Sequence, residues 1–419
     1  MTRFVGHGRG EVTPVDELTA VDTHLAHILE LLPNPEPIEL RLADALGLVL
    51  AEAETSQVSL PAFPNAAMDG YAIVAEDIAG ASVDAPRHIE VVGEVLAGEA
   101  DLPAVSPGRC VRIMTGAPVP PGADAVVPVE TTSGDGSVIG FHRPVEVGQH
   151  IRGPGEDLRP GQSLVAAGRR VGPADVALLA AAGITRVRCI PPPRVVILSS
   201  GDELVPANHE PGPGQIRDVN GPMLAAMVRA AGAVPFSAGI VRDDRKALMY
   251  AFDTNLGHAD LFICTGGASA GTRDLIPDVI GALGEVASTK VAMKPGMPQI
   301  RGRIAGVPVI GLPGNPVSTF VSFEVFARPA IRALQGRRDV QRPTVSARAA
   351  EPLRAPPAKR GYARVKLARE EGGWLATPTG NQGSHVISSL AAADGLAVVP
   401  EDVTEIPEGG QVRVHLLVE

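Results

Sequence analysis

The sequence predicts a multidomain protein of mixed α+β and α/β class, with a central parallel α/β domain flanked by two regions of short strands. Three observations carry that reading. At 419 residues the chain is long enough for two to four domains, each with its own core. Between Arg194 and Leu334, candidate strands alternate with helical stretches of roughly 10–15 residues, the rhythm of βαβ units and a parallel sheet. On either side, from Pro61 to about Pro144 and from Pro343 onward, short β-like runs are broken by Gly, Pro and Asp turns.

Taken in order, Leu18, Val21, Leu25, Ile28 and Leu32 repeat at three and four residues, so one amphipathic helix is expected, ended by Pro33 and Pro35. An apolar stretch continues from Ile38 to Ala51. The region from Pro61 reads as a small all-β module with strands at Tyr71–Val74, His88–Val92 and Cys110–Met114. A helix is expected over Pro173–Ala182, with Gly183 at its C-terminal cap. Central strands are expected at Arg194–Ser200, Val234–Val241, Asp260–Thr265, Glu285–Met293 and Val307–Leu312. Helices fill the intervals at Pro222–Ala231, Asp244–Asn255, Leu275–Leu283 and Pro316–Leu334. Ala363–Leu367, Gly395–Val399 and Gln411–Val418 read as strands of a terminal β-barrel or sandwich.

Composition removes several functional classes. The net charge is −10, and no Lys/Arg cluster is present, which disfavours nucleic acid as a partner. Three widely spaced cysteines offer neither a disulfide framework nor a CxxC metal site, so a reducing compartment is expected. The first residues lack the apolar core of a secretory signal, and no run is long enough to span a membrane. A cytoplasmic protein without a membrane partner is expected. His24 and His27 share a helix face, where surface or dimer packing outweighs a metal site. The 47 glycines and 39 prolines imply either low complexity or many tight turns, and no stretch is compositionally simple.

In open parallel sheets ligands bind beyond the carboxyl ends of the strands. There the sequence places Ser199–Glu203, Arg242–Asp244, the glycine-rich Thr265–Gly271 with Asp274, and Pro313–Ser318. Glycines admit backbone N–H groups close to an anion, so the last two loops read as phosphate cradles, with plain tight connections as the alternative. No Gly-x4-Gly-Lys-Ser/Thr run is present, and Gly6, Gly8 and Gly10 precede no strand or helix, which disfavours the common nucleotide signatures. Glu203, Asp243 and Asp274 come from three loops at one sheet end and suit Mg²⁺ with substrate phosphates. Each alone could be a helix cap. Lys290 and Lys294, the latter opening a Lys-Pro-Gly turn, suit a phosphate or oxyanion.

Together these loops resemble one family, the molybdopterin molybdenumtransferases (MoeA and the gephyrin E domain). The matching segments are Pro64–Ala72, Arg112–Ala117, Gly155–Asp157, Ser200–Leu204, Asp218–Gly221, Gly266–Gly271, Met293–Pro298, Gly311–Ser318 and Gln382–His385, in family order. Met-Asp-Gly-Tyr-Ala and Gly-Leu-Pro-Gly-Asn-Pro-Val-Ser are the most specific. The resemblance implies a discontinuous helical domain (1–52 and 145–185), an inserted β domain (53–144), a MogA-like α/β domain (186–337) and a C-terminal β-barrel (338–419). It also implies a homodimer that takes adenylylated molybdopterin, inserts molybdate and releases AMP with Mg²⁺. Molybdopterin adenylyltransferase and apo-molybdoenzymes are the implied partners upstream and downstream.

Carried onto this chain, the resemblance assigns catalysis to Asp69, Glu203, Asp243, Asp274, Lys290 and Lys294, with Glu203, Asp243 and Asp274 handling the metal. Substrate binding falls to Thr115, Arg152, Asp157, Gly266, Gly267, Ser269, Pro313, Asn315 and Pro316. Molybdate falls to Lys294, Ser318, Arg364 and Ser384. Two departures stand out: the family usually reads Lys-Pro-Gly-Lys-Pro where this chain has Met297, and a serine where it has Ala66. A paralogue that binds or stores the pterin cofactor without turnover is the alternative they suggest; a receptor scaffold has no supporting motif.

Overall fold

The computed structural model describes residues 18–266 and 275–417. The described residues form two compact units, one of residues 39–188 and the other of those before 39 and after 188.

In the unit of residues 39–188, a six-stranded sheet runs in the order Ala125–Pro128, Gly70–Ile73, Arg109–Ile113, Arg87–Val95, Val138–Phe141 and Thr132–Ser133. Alternate residues of these strands point to opposite faces. Tyr71, Ile73, Ile89, Cys110, Ile139 and Phe141 are buried on one side and Ala72, Val95, Val111, Ile113 and Val126 on the other. The rings of Tyr71 and Phe141 meet edge to face with centroids 6.0 Å apart. The helix Pro173–Ala181 ends as expected, with Gly183 at φ 79° where a side chain would be strained.

The second unit is built on the sheet Val234–Val241, Arg194–Ser200, Leu261–Thr265, Val307–Leu312, Pro298–Ile304 and Gly284–Lys290. The first four strands are parallel, as the βαβ rhythm requires. The last two extend the sheet as an antiparallel pair on Val307–Leu312. Pro298–Ile304 is a strand beyond those expected from sequence, since its glycine and two arginines interrupt the apolar pattern. Gly302 is needed there because a Cβ would lie 2.3 Å from the Glu285 carbonyl oxygen.

Alternation along Arg194–Ser200 explains the layering. Val195 and Ile197 enter a core shared with the helices Val21–Glu30, Asn220–Ala230 and Pro316–Ser322 and the continuing turns to Leu334. Val196 and Leu198 enter the opposite core with the helices Arg245–Asn255 and Leu275–Leu283. His24 belongs to this interior rather than to a surface or dimer face: it is fully buried, with its ring 4.8 Å from that of Phe326 and its Nδ1 3.5 Å from Arg301 Nη1. Burial and the neighbouring guanidinium push its pKa down to about 3, so it packs as a neutral ring.

The C-terminal strands Thr344–Ala349, Arg360–Glu370, Gly373–Pro378, Gly395–Val399 and Gln411–Leu416 close into a five-stranded barrel. Ala347, Val365, Ala376, Ala397 and Val414 fill it, their small side chains suiting its narrow bore. Tyr362 and Val398 point outward into the α/β core, and Met293–Lys294 pairs with Arg360–Gly361. No cysteine forms a disulfide, and burial pushes the thiols of Cys110 and Cys264 up to about 12. No helix among the described residues is long and apolar enough to cross a membrane.

Candidate functional site

Strand order in the parallel part reverses between Arg194–Ser200 and Leu261–Thr265, the point at which doubly wound sheets take ligands. The loops leaving these two strands touch. Gly266, at φ 92°, lies so close to Ser200 that a Cβ would sit 2.0 Å from the Ser200 carbonyl oxygen. No other residue type fits this approach.

Asn220 ties the arrangement together. Its Nδ2 donates to Thr265 Oγ1 at 2.9 Å and to the Gly314 carbonyl at 2.7 Å. Thr265 Oγ1 in turn donates to the Pro313 carbonyl at 3.2 Å, and Thr319 Oγ1 reaches the same carbonyl at 2.5 Å. Pro313, Asn315 and Pro316 therefore sit beside Gly266, held by side chains from three segments. Asp218 accepts from the Gly221 amide at 3.0 Å and fixes the start of the helix that carries Asn220. Neither Asn220 nor Asp218 stands among the site residues expected from sequence, although both lie in the Asp218–Gly221 segment; the Asn220 bonds join positions far apart in the chain.

The acidic loops come next. Ser200 Oγ donates to Asp243 Oδ1, and the Asp243 amide donates to Asp202 Oδ1 at 3.3 Å. The Glu203 carboxylate folds over Gly201, 2.6 and 2.7 Å from where a Cβ would be. Glu203 and Asp243 thus leave adjacent strands at one end of the sheet. Gly267, Ser269 and Asp274 lie outside the described residues. Among the described residues no group of three or more Asp, Glu, His or Cys could by itself hold a metal ion. A cleft of about 880 Å³ opens between the ends of the first two strands, lined by Gly201, Asp202, Asp218, Gly221, Gly239 and Arg242.

The barrel brings a second set of groups to the Pro313–Pro316 loop. Asn315 Nδ2 lies 3.5 Å from Ser384 Oγ. Arg364 is fully buried; its Nε donates to Ser389 Oγ at 2.8 Å and its Nη2 to the Asn381 and Gly383 carbonyls at 3.0 and 3.3 Å. Its Nη1 has no partner among the described residues, and desolvation lowers the guanidinium pKa. Such a group is stabilised when an anion joins it. Ser318 is buried in the helix Pro316–Ser322. One turn on, Ser322 Oγ accepts from Gln299 Nε2 at 2.7 Å, and the same amide nitrogen holds the Gly296 carbonyl at 2.6 Å. The Lys294–Met297 turn is thereby fastened to the Ser318 helix. Lys290 and Lys294 are exposed.

In the unit of residues 39–188, Asp69 Oδ1 accepts from the Thr115 amide and hydroxyl, both at 2.7 Å. The backbone bond, then the hydroxyl bond, holds the Asp69 carboxyl below its usual range. Arg152 pairs with Asn65 across a two-residue antiparallel ladder, which sets its backbone beside the Asn65–Ala66 strand. The Asp157 amide donates to the Leu60 carbonyl at 2.9 Å. Ala66 is fully buried and exchanges backbone bonds with Gly116 and Ala117, so the departure at this position removes no exposed hydroxyl.

Known protein families match three stretches of the chain. Residues 19–183 match the MoeA N-terminal region (domain I and II), 196–333 a probable molybdopterin binding domain, and 346–417 the MoeA C-terminal region (domain IV). The chain is 41% identical over 403 residues to molybdopterin molybdenumtransferase 2 of Mycobacterium tuberculosis, covering 95% of this chain and 99% of that one. It is 34% identical to the molybdopterin molybdenumtransferase of Bacillus subtilis, covering 90% and 89% respectively. The crystal structure of a molybdopterin biosynthesis MoeA protein from Pyrococcus horikoshii superposes with a TM-score of 0.82 at 33% identity, covering 96% of this chain and all of that one. The chain therefore belongs to the MoeA family, whose curated members are the molybdopterin molybdenumtransferases.

Proposed function

We propose that this chain is a molybdopterin molybdenumtransferase of molybdenum cofactor biosynthesis, inserting molybdenum from molybdate into adenylylated molybdopterin with Mg²⁺-dependent release of AMP. The observation that carries the reading is the Asn220 clamp, which gathers Thr265, Gly266 and the Pro313–Pro316 loop at the strand-order reversal. Backbone amides of these loops bind the phosphate end of the substrate, and the Asn220 clamp orients it. Asp243, Glu203 and Asp274 are the oxygen-only donors that Mg²⁺ prefers, and one or two carboxylates suffice where phosphates supply other ligands. Mg²⁺ held there would offset charge on the phosphate that leaves with AMP.

Molybdate is a tetrahedral dianion, for which ammonium, guanidinium and hydroxyl donors are suited. Lys294, Ser318, Arg364 Nη1 and Ser384 supply such donors on one unit, with Lys290 nearby in sequence. Asp69, Thr115, Arg152 and Asp157 serve the substrate within a cytoplasmic homodimer. Molybdopterin adenylyltransferase supplies that substrate, and apo-molybdoenzymes receive the product.

Incubation with adenylylated molybdopterin, molybdate and Mg²⁺ should release AMP, and chelation of Mg²⁺ should suppress it. Folded protein that releases no AMP would refute the reading.

A further inference from the structure

The turn after Lys294 carries Met297 where the family usually has a second lysine. We propose that Lys359, delivered by the barrel strand, supplies the second ammonium of this oxyanion seat; the inference rests on the molybdenumtransferase reading above. Lys359 Nζ lies 3.4 Å from Met297 Sδ, at the flank of the turn that the missing lysine would occupy.

This placement is fixed by backbone and by its neighbour. Met293 and Lys294 pair in parallel with Arg360 and Gly361, and the Arg360 amide donates to the Ala292 carbonyl at 2.9 Å. The Arg360 guanidinium grips Asp22 at 2.8 and 2.9 Å and Glu401 at 2.8 Å. Lys359, one residue before the strand Arg360–Glu370, therefore holds an anchored position beside Lys294–Met297. On the other side, Gln299 binds both the turn and Ser322, in the helix that carries Ser318.

Its charge is left unanswered. Lys359 is half-buried and forms no ion pair among the described residues. A thioether is a weak acceptor, and an ammonium has three donors to place. A partly desolvated cation in that setting gains most from an incoming anion.

Lysine itself is informative in this chain. Of 37 basic residues only five are lysines, at 246, 290, 294, 359 and 366. Positive charge and bidentate pairing are carried almost wholly by arginine. Three of the five lysines, Lys290, Lys294 and Lys359, nevertheless flank one turn. A compact, rotatable point charge suits a small tetrahedral oxyanion better than a planar fork, which explains lysine at these positions.

The test uses the full chain, with molybdate alone in equilibrium dialysis and with molybdate titrated into the AMP-release reaction. Lys359→Met is expected to raise both the Kd and the KM for molybdate about tenfold, while kcat at saturating molybdate stays within about twofold. Adding Met297→Lys to Lys359→Met should restore the affinity, and Lys366→Met should match the unaltered protein. Unchanged molybdate affinity in Lys359→Met overturns the inference, as does a defect that Met297→Lys fails to rescue. Absence of saturable molybdate binding by the unaltered protein also overturns it. Molybdate binding that depends on Lys359 without any AMP release would leave this assignment standing and sink the proposed reaction.

Discussion

Asn220 joins Thr265 to Gly314: one side-chain amide donates to the Thr265 hydroxyl at 2.9 Å and to the Gly314 carbonyl at 2.7 Å. Two loops separated by almost fifty residues are thereby held at one sheet end by a residue on a third segment. Asn220→Ala removes both bonds and leaves a carbonyl and a hydroxyl without their donor. It should cost about 1–3 kcal/mol in urea unfolding and lower kcat/KM for AMP release by at least about tenfold. Asn220→Ala with unaltered kcat/KM would remove the clamp from the account.

Gly266→Ala tests the close approach of the same loops. A left-handed residue costs about 1–3 kcal/mol without glycine, and here the added methyl also meets the Ser200 carbonyl. Gly98 has a similar φ of 93° with nothing within 4 Å, so Gly98→Ala isolates the backbone contribution. Thermal unfolding should show a clearly larger loss for Gly266→Ala, and AMP release should fall only in that variant.

The pair Asp69 and Thr115 sets a pH dependence. The folded-state pKa of Asp69 lies below its usual value of 3.8, so the carboxylate contributes stability above that value. The contribution is lost as pH falls through the lowered folded pKa. The difference in melting temperature between the unaltered protein and Asp69→Ala should therefore be constant near neutrality and shrink below about pH 4. A difference that grows on acidification would contradict the assigned direction.

Arg364→Lys keeps the positive charge but loses the fork that binds Ser389, Asn381 and Gly383. The 381–384 loop should loosen, with a lower melting temperature and a higher KM for molybdate of about tenfold or more. Retention of both values would show that the buried guanidinium is dispensable.

Local pattern made the buried strands legible: Arg194–Ser200 and Leu261–Thr265 are continuous apolar runs, and their bounds follow from that. Pro298–Ile304 was not legible, because Gly302 and the two arginines are placed by contacts across the hairpin rather than by a period. The glycine and proline loops were legible as turns gathered at one sheet end, since glycine is demanded by a close backbone approach such as that of Gly266. Asn220 and Lys359 escaped notice because their partners are distant in sequence, and a lone Asn or Lys carries no local signal. The burial of His24, expected at a surface or dimer face, was not legible for a related reason: the face it presents to Phe326 and Arg301 is defined only once the helix has docked.

Measuring AMP and molybdenum together decides whether the chain transfers the metal. Purified protein, adenylylated molybdopterin and Mg²⁺ should yield AMP and a molybdenum-loaded pterin in equal amounts when molybdate is added, and the product should activate an apo-molybdoenzyme. AMP release without molybdenum transfer, or pterin binding with neither, would contradict the proposed transfer.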